Sequence, residues 1–230
     1  MPGAQDRYGN RYRGEVRRAL GFLGPRHDFF VEAKARELLR IVAQHVGDPS
    51  ELRALDVGSG IGLVDRFLVP HFAAVDGIDV SREAIESAKR RNASARYRHY
   101  DGGELPFDGR AFDVVFAVCV LQVVPALARR QLVAEMSRVV TRGGLVVVFE
   151  HNPVNPLTRI AANRFRLGGK SALLGRGAVA RLFTDSGLEV VDSRYIVFFP
   201  WRSQALDRLE RRLAAVPLGA QYVLAGSLAE

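Results

Sequence analysis

The chain of 230 residues is 48% hydrophobic and 25% charged, and it carries a net charge of +8. The length suits one large domain with accessory segments, and the composition excludes a disordered or collagen-like chain. A single cysteine, Cys119, excludes an internal disulfide and a zinc module built on several thiolates.

The positive charge comes almost entirely from arginine, because Lys34, Lys89 and Lys170 are the only lysines. Arginine pairs such as Arg90 and Arg91 lie on predicted helix surfaces, without the interleaved aromatic residues of a nucleic-acid surface. We therefore expect solvated faces and no dedicated nucleic-acid partner.

The longest nearly apolar run covers residues 114–128 and contains Gln122 and Pro125. It is shorter than the about 20 residues that span a bilayer, so no transmembrane helix is predicted. The polar residues 1–10 lack the apolar stretch of a secretory signal, which predicts a cytoplasmic location.

Residues 1–50 are predicted to form an N-terminal helical cap or lid, with a clear helical pattern over 29–46. Short apolar runs then alternate with helical patterns up to residue 150. Strands are predicted over 52–57, 73–79, 95–100, 112–120 and 145–150, and helices over 63–71, 81–91 and 126–140. Runs that are apolar throughout are typical of strands buried on both faces, so we expect a doubly wound α/β core with a mostly parallel sheet.

The sequence after residue 150 predicts a loop, because Pro153 and Pro156 disfavour an immediate helix. An arginine-rich connector to residue 175 follows, then a helix near 178–186, a strand over 188–199, an amphipathic helix over 203–215 and a strand over 220–224. We interpret residues 51–230 as one core with inserts at 151–175 and 200–217.

The most specific motif is Asp-Val-Gly-Ser-Gly-Ile-Gly at residues 56–62, where the first predicted strand turns into a helix. Gly58 and Gly60 permit positive φ angles and close approach of a ligand, and the following helix offers unpaired N–H groups. A dinucleotide fingerprint would need glycine where Leu63 stands, so pyrophosphate binding is less favoured. Asp79 and Asp101 end the next two strands at the same sheet edge, where carboxylates can accept hydrogen bonds from a ribose diol and from an adenine amino group.

These residues closely resemble the class I S-adenosylmethionine-dependent methyltransferases, in the small-molecule branch called type 11, over roughly residues 50–150. The resemblance implies a Rossmann-like sheet of seven strands, mostly parallel with an antiparallel last strand, and S-adenosyl-L-methionine as cofactor. It also implies a role for each matching residue: Asp56, Gly58, Ser59 and Gly60 around the methionine part, Asp79 on the ribose hydroxyls, Val80 beside the adenine, Asp101 and Gly102 reading the adenine, and Cys119 near the sulfonium. Tyr8 and Tyr12 are candidates to close over the cofactor carboxylate.

His151 follows the fifth predicted strand, where an imidazole can take a hydroxyl proton during methyl transfer. The alternative is that His151 only orders the proline loop or shapes the pocket. Many members of the family place histidine after the fourth strand, where this chain has Gln122 and Val123. The other histidines lack the paired spacing of metal ligands, so no metal site is predicted.

We therefore expect a methyltransferase that acts on an oxygen or carbon of a small or lipid-like metabolite. Residues 120–125 lack the Asn/Asp-Pro-Pro-aromatic stretch typical of enzymes that methylate nitrogen in nucleic acids and proteins. The alternatives are an RNA methyltransferase using the arginine-rich surface, a non-catalytic cofactor-binding protein and, last, a nicotinamide-dependent oxidoreductase. The residues leave the acceptor and the oligomeric state open.

Overall fold

The protein is described by a computed structural model that covers residues 26–165, 173–199 and 204–228, and within these residues seven strands form one sheet. The strands are β1 (Arg53–Val57), β2 (Ala74–Asp79), β3 (Arg96–His99), β4 (Phe112–Val118), β5 (Val140–His151), β6 (Leu188–Ile196) and β7 (Gln221–Leu228). Their order is β3-β2-β1-β4-β5-β7-β6. Neighbours from β3 to β5 pair in parallel, whereas β7 is antiparallel to both β5 and β6. The predicted fold class is confirmed.

Helices cover both faces of this sheet. They are α1 (Arg26–His45), α2 (Asp65–Leu68), α3 (Arg82–Arg91), α4 (Ala126–Val139), α5 (Pro156–Phe165), α6 (Arg176–Asp185) and α7 (Gln204–Leu213), with a 3-10 turn at Pro49–Glu51. None of the helices in the described ranges is long and apolar enough to cross a membrane. Tyr8, Tyr12 and the whole first half of the predicted cap, residues 1–25, lie outside the described residues.

Two apolar cores lie on opposite sides of the sheet because successive strand residues point to opposite faces. On one face Val115 and Ala117 of β4 pack with α4 and α6. On the other face Val114 and Phe116 pack with α1, whose buried stripe includes Leu38. Cover on both faces explains why the central strands are apolar throughout.

The direction of α1 brings its first half to the functional edge of the sheet. The helix ends at His45, and a short turn then leads into the start of β1. Because β1 runs toward the carboxyl edge, α1 runs away from that edge. The division into a cap and a core at residue 50 stays a prediction, but α1 itself packs directly on the sheet.

The structure differs from the sequence expectations at two turns. The helix predicted over 63–71 is reduced to the four residues of α2, because the glycine turn continues as turns up to Val64. The break predicted at Arg142-Gly-Gly144 is an irregularity inside β5 and not an end of the strand: Gly143 has φ +73°, and β5 runs from Val140 to His151. β4 pairs Phe112 with Val140 and Val114 with Leu145, so residues 141–144 of β5 are accommodated by a register shift between the two strands.

The expected proline loop is also shorter than predicted, because α5 begins at Pro156. Proline is tolerated at the start of a helix because its missing N–H would have no partner there. Asn155 caps the helix, its side-chain oxygen accepting a hydrogen bond from Thr158 N at 2.9 Å. The last strand is longer than the predicted 220–224 and lies between β5 and β6.

Candidate active site

The glycine turn leaves the carboxyl end of β1 and is tied to β2. Gly58 N and Ser59 N both donate to the carbonyl oxygen of Ile78, at 2.8 and 2.9 Å. Gly58 has φ +79°, and a Cβ at this position would lie 2.6 Å from a methyl group of Val120. Position 58 therefore requires glycine both for its backbone angle and for space.

Asp79 connects the glycine turn to the start of α3 by hydrogen bonds. Its two carboxylate oxygens accept hydrogen bonds from Gly60 N and Ser81 N, each at 2.8 Å. Burial raises the pKa of Asp79, while these backbone hydrogen bonds act in the opposite direction. Each carboxylate oxygen keeps a further lone pair that can accept a hydrogen bond from a ligand.

The predicted adenine residues lie next to one another at the ends of β2 and β3. Val80 is apolar yet 46% exposed. Gly102 has φ +90°, and a Cβ on it would be in van der Waals contact with Val80, at 3.4 Å. The side chain of Asp101 is exposed at the sheet edge, where it accepts a hydrogen bond from Gly103 N at 3.0 Å. The Val80 side chain thus offers an apolar contact, and the Asp101 carboxylate beside it offers a hydrogen-bond acceptor, to a ligand at this edge.

A buried acidic pair lies beneath the glycine turn, and the sequence analysis missed one of its members. Asp56 is 3% exposed and Asp65 is fully buried. Tyr97 donates to Asp65 Oδ2 at 2.7 Å, and Asn92 donates to Tyr97 and to the carbonyl oxygen of Gly62. An acid in the first turn of a helix is ordinary, so the sequence offered little signal for Asp65.

Both carboxyl groups of the pair are harder to ionise than an exposed aspartate, because both are buried. Burial, followed by the neighbouring Asp65 carboxylate, raises the pKa of Asp56 well above its usual range. Burial also raises the pKa of Asp65 to about 6. The carboxyl of Asp56 is hydrogen-bonded to that of Asp65, whereas the Ser59 hydroxyl is buried without a partner in the described structure. This hydroxyl suits a polar ligand seated on the turn.

Glu150 organises the loop that follows β4. It is 1% exposed, and its Oε1 accepts a hydrogen bond from Leu121 N at 2.7 Å. Burial raises the pKa of Glu150 to about 8, so the carboxyl is protonated at neutral pH. This loop also contains Cys119, a residue with φ +58° whose N–H donates to Phe149 O at 2.7 Å.

His151 lies at the end of β5 and is paired with Gln122. Its Nδ1 is 3.1 Å from Gln122 Oε1, and an amide oxygen only accepts, so Nδ1 carries the hydrogen. Burial lowers the pKa of His151 to about 4. The imidazole is therefore neutral at pH 7 and keeps a lone pair on Nε2. Gln122 stands where the sequence comparison led us to expect histidine in many members of the family, and it holds the ring of His151 on β5.

Two further polar residues meet at this edge without any local sequence signal. Gln221 at the start of β7 pairs with His151 in the strand register, and its Nε2 donates to Cys119 Sγ at 3.9 Å. Lys34 of α1 is buried close enough to Cys119 and His151 for their charges to interact. No group of three or more His, Cys, Asp or Glu within the described part of the chain is arranged to hold a metal ion.

Comparison with known proteins agrees with this geometry. The family model Methyltransf_11, described as a methyltransferase domain, matches residues 55–148. A phosphatidylethanolamine N-methyltransferase from Cereibacter sphaeroides is 32% identical over 174 residues, which are 72% of this chain and 84% of that protein. The chain belongs to the class I S-adenosylmethionine-dependent methyltransferases, type 11.

Two other relatives extend the comparison. A demethylmenaquinone methyltransferase from Tropheryma whipplei (strain Twist) is 31% identical over 115 residues, 48% of this chain and only 46% of that protein. The magnesium protoporphyrin IX methyltransferase of Synechocystis PCC 6803, solved with bound S-adenosylhomocysteine, superposes with a TM-score of 0.68 over 98% of both chains at 13% identity. At this sequence identity, the similarity to the solved structure supports the fold alone.

The cofactor of this methyltransferase is S-adenosyl-L-methionine, and the residues at the glycine turn fit it. A polar turn lies beside an apolar surface: the Ser59 hydroxyl is buried without a partner in the described structure, Asp79 keeps lone pairs for a ligand, and Val80 is exposed. When bound, the cofactor supplies an electrophilic methyl group on a sulfonium.

The raised pKa of Glu150 predicts a pH-dependent cost to stability. The folded protein keeps this carboxyl protonated up to about pH 8, whereas an unfolded glutamate ionises above about pH 4.5. Stability is therefore lost as the pH rises between these two values. We expect Glu150→Gln, which keeps the oxygen that accepts from Leu121, to be more stable than the wild type by roughly 1–3 kcal/mol at pH 8 and by less at pH 5.

Urea unfolding at pH 5, 6.5 and 8 measures this difference. Glu51→Gln is the matched control, because Glu51 is exposed in the turn before β1. A difference between wild type and Glu150→Gln that does not change with pH would contradict the assignment of a protonated Glu150.

Proposed function

We propose that this methyltransferase transfers a methyl group to an oxygen or carbon of a small, lipid-like acceptor. The observation that carries the proposal is the neutral His151, whose Nε2 lone pair is free because Nδ1 is held by Gln122. As the bond from the methyl group to the acceptor forms, the bond from sulfur to methyl breaks and leaves a neutral thioether. The proton of a hydroxyl acceptor goes to His151 Nε2.

The proposed cofactor contacts follow the sequence prediction. Asp56, Gly58, Ser59 and Gly60 would hold the methionine part, and Asp79 the ribose hydroxyls. Val80, Asp101 and Gly102 would contact the adenine, and Cys119 would lie near the sulfonium. The support is that these residues line one continuous edge, with Asp79 bonded to Gly60 and Gly102 adjacent to Val80.

An apolar surface beside His151 supports a lipid-like acceptor. Asn152 donates to Gly219 O at 2.8 Å, and Thr158 donates to Ala220 O at 3.0 Å, so the start of α5 packs beside the start of β7. Exposed apolar side chains surround this junction: Val154 (56%), Leu157 (75%), Ile160 (61%) and Leu218 (56%). Large apolar groups exposed together commonly mark a binding surface for an apolar partner.

A second candidate acceptor is the amine of an amino lipid, favoured by the similarity to the phosphatidylethanolamine N-methyltransferase. An amine attacks as its free base, and the neutral His151 accepts its proton as it would that of a hydroxyl, so labelled transfer has to decide between the two acceptors. RNA methylation and cofactor binding without catalysis are not favoured.

Transfer of labelled methyl from S-adenosylmethionine decides between these acceptors. We would offer quinols, hydroxylated lipids, phosphatidylethanolamine vesicles and tRNA in parallel, and locate the label by mass spectrometry. Label on oxygen or carbon of a quinol or lipid is the expected result. Label confined to the phosphatidylethanolamine amine would replace the first proposal by the second, and label confined to tRNA would overturn both.

A further inference from the structure

Lys34 is a buried side chain that forms no ion pair with any of the described residues. It lies in the buried stripe of α1 between Val31 and Leu38 and is 7% exposed. Its hydrogen bond goes to Phe30 O, 3.3 Å away in the preceding turn of the same helix. No carboxylate of the described residues forms a salt bridge with Lys34, so donor hydrogens remain for another partner.

The groups around Lys34 are uncharged at neutral pH. Burial raises the pKa of the Cys119 thiol and lowers the pKa of His151 to about 4. Glu150 in the same edge is protonated because burial raises its pKa to about 8. Burial also lowers the pKa of Lys34 itself. A charge buried without compensation is unfavourable, and an anionic ligand would provide that compensation.

Gln221 supplies a second donor at the same place. The side chain is 6% exposed, and among the described residues its Nε2 donates to Cys119 Sγ alone, at 3.9 Å. Thiol sulfur is a weak acceptor, so an anionic oxygen would be a better partner for this amide. Glu150 Oε2 carries the proton of this carboxyl, because Oε1 accepts from Leu121 N, and it is buried without a partner in the described structure, so it is a further donor at this edge.

We propose that Lys34 and Gln221 form a subsite for an anionic oxygen of the methyl acceptor, beside Cys119 and His151. The subsite rests on the proposed function, and its ligand is an acceptor with a phenolate, enolate, carboxylate or phosphate oxygen. Such an oxygen could come from the methyl acceptor or from the carboxylate of the cofactor. The register of Gln221 with His151 on β7 and β5 favours the acceptor, because the glycine turn and Asp79 lie at β1 and β2.

The scarcity of lysine allows a direct spectroscopic test. Lysine labelled with ¹³C at Cε gives signals from only Lys34, Lys89 and Lys170. The signal that disappears in the Lys34→Met variant is that of Lys34. The conservative Lys34→Arg variant removes the same signal and serves for the assignment if Lys34→Met folds poorly. Lys89→Met is the matched control, because Lys89 is exposed and pairs with Glu86 at 2.9 Å.

We would titrate wild-type protein saturated with S-adenosylhomocysteine across pH, with and without inorganic phosphate or benzoate. The expected result is that either anion raises the Lys34 pKa by at least one unit, whereas the Lys89 signal does not respond. A Lys34 titration that is indifferent to both anions would overturn the subsite.

Calorimetry then separates the acceptor from the cofactor as the source of the anionic oxygen. S-adenosylhomocysteine carries the methionine-derived carboxylate, and 5′-methylthioadenosine lacks it. We expect Lys34→Met to bind both within twofold of the wild type. A tenfold or larger loss confined to S-adenosylhomocysteine would overturn the proposal by assigning Lys34 to the cofactor carboxylate. If wild-type protein bound neither nucleotide, the proposed function itself would fail.

Discussion

Replacing Asp79 with alanine is expected to weaken binding of S-adenosylmethionine and S-adenosylhomocysteine at least hundredfold. The variant loses the proposed acceptor of the ribose hydroxyls, and hydrogen bonds to charged groups are worth about 1.5–3 kcal/mol each. It also releases Gly60 N and Ser81 N, so the glycine turn and the start of α3 lose their common anchor. Titration calorimetry of the purified variant with both nucleotides measures the loss.

Two further substitutions separate the binding role of Asp79 from its structural role. Asp79→Asn keeps an oxygen that accepts a backbone hydrogen bond and should lose less affinity than Asp79→Ala. Asp76→Asn is the matched control, because Asp76 lies on the same strand but faces Arg96 at 4.0 Å, away from the glycine turn. If Asp79→Ala bound S-adenosylhomocysteine within fivefold of the wild type, the assignment of the ribose site would be wrong.

Replacing His151 with alanine is expected to lower kcat by about 10²–10⁴, the usual contribution of a general base. The dissociation constant for S-adenosylmethionine should stay within about threefold, because His151 lies at the acceptor side of the edge. Gln122→Leu should have a smaller effect on kcat, since it removes the oxygen that holds Nδ1 but leaves the imidazole in place. Steady-state kinetics on the acceptor identified by labelling gives both constants.

The pH profile provides an independent check on His151. Its pKa is lowered to about 4, so Nε2 is available above that value and is lost only as the pH falls through about 4. We therefore expect kcat/KM to show no inflection between pH 6 and 7, where an ordinary histidine titrates. His71→Ala is the control, because His71 is exposed in the turn before β2. Unchanged kcat in His151→Ala would assign the residue to pocket shape alone.

Local sequence determined the parts of the site that are adjacent along the chain or repeat with a regular period. The glycine turn at residues 56–62, Asp79 and Asp101 each follow a predicted strand, and parallel strands bring their carboxyl ends to one edge. The alternation of apolar runs and helical patterns was sufficient to predict the α/β class, because strands covered on both faces are apolar throughout. The resemblance to the family added the antiparallel last strand.

Tertiary structure alone decided the contacts between residues far apart in the sequence. Asp65 is hydrogen-bonded to Asp56 and to Tyr97, and Gln221 reaches Cys119 across β5, although none of these pairs has a characteristic spacing. Lys34 is one of several charged residues in a helical pattern, and only the packing of α1 on the sheet shows that it is buried. Burial also sets the charge states of Glu150 and His151, because the cost of charging a group depends on its surroundings. The sequence thus determined the fold class and predicted the outline of the cofactor site, whereas the electrostatics of the proposed acceptor side depend on desolvation by distant elements.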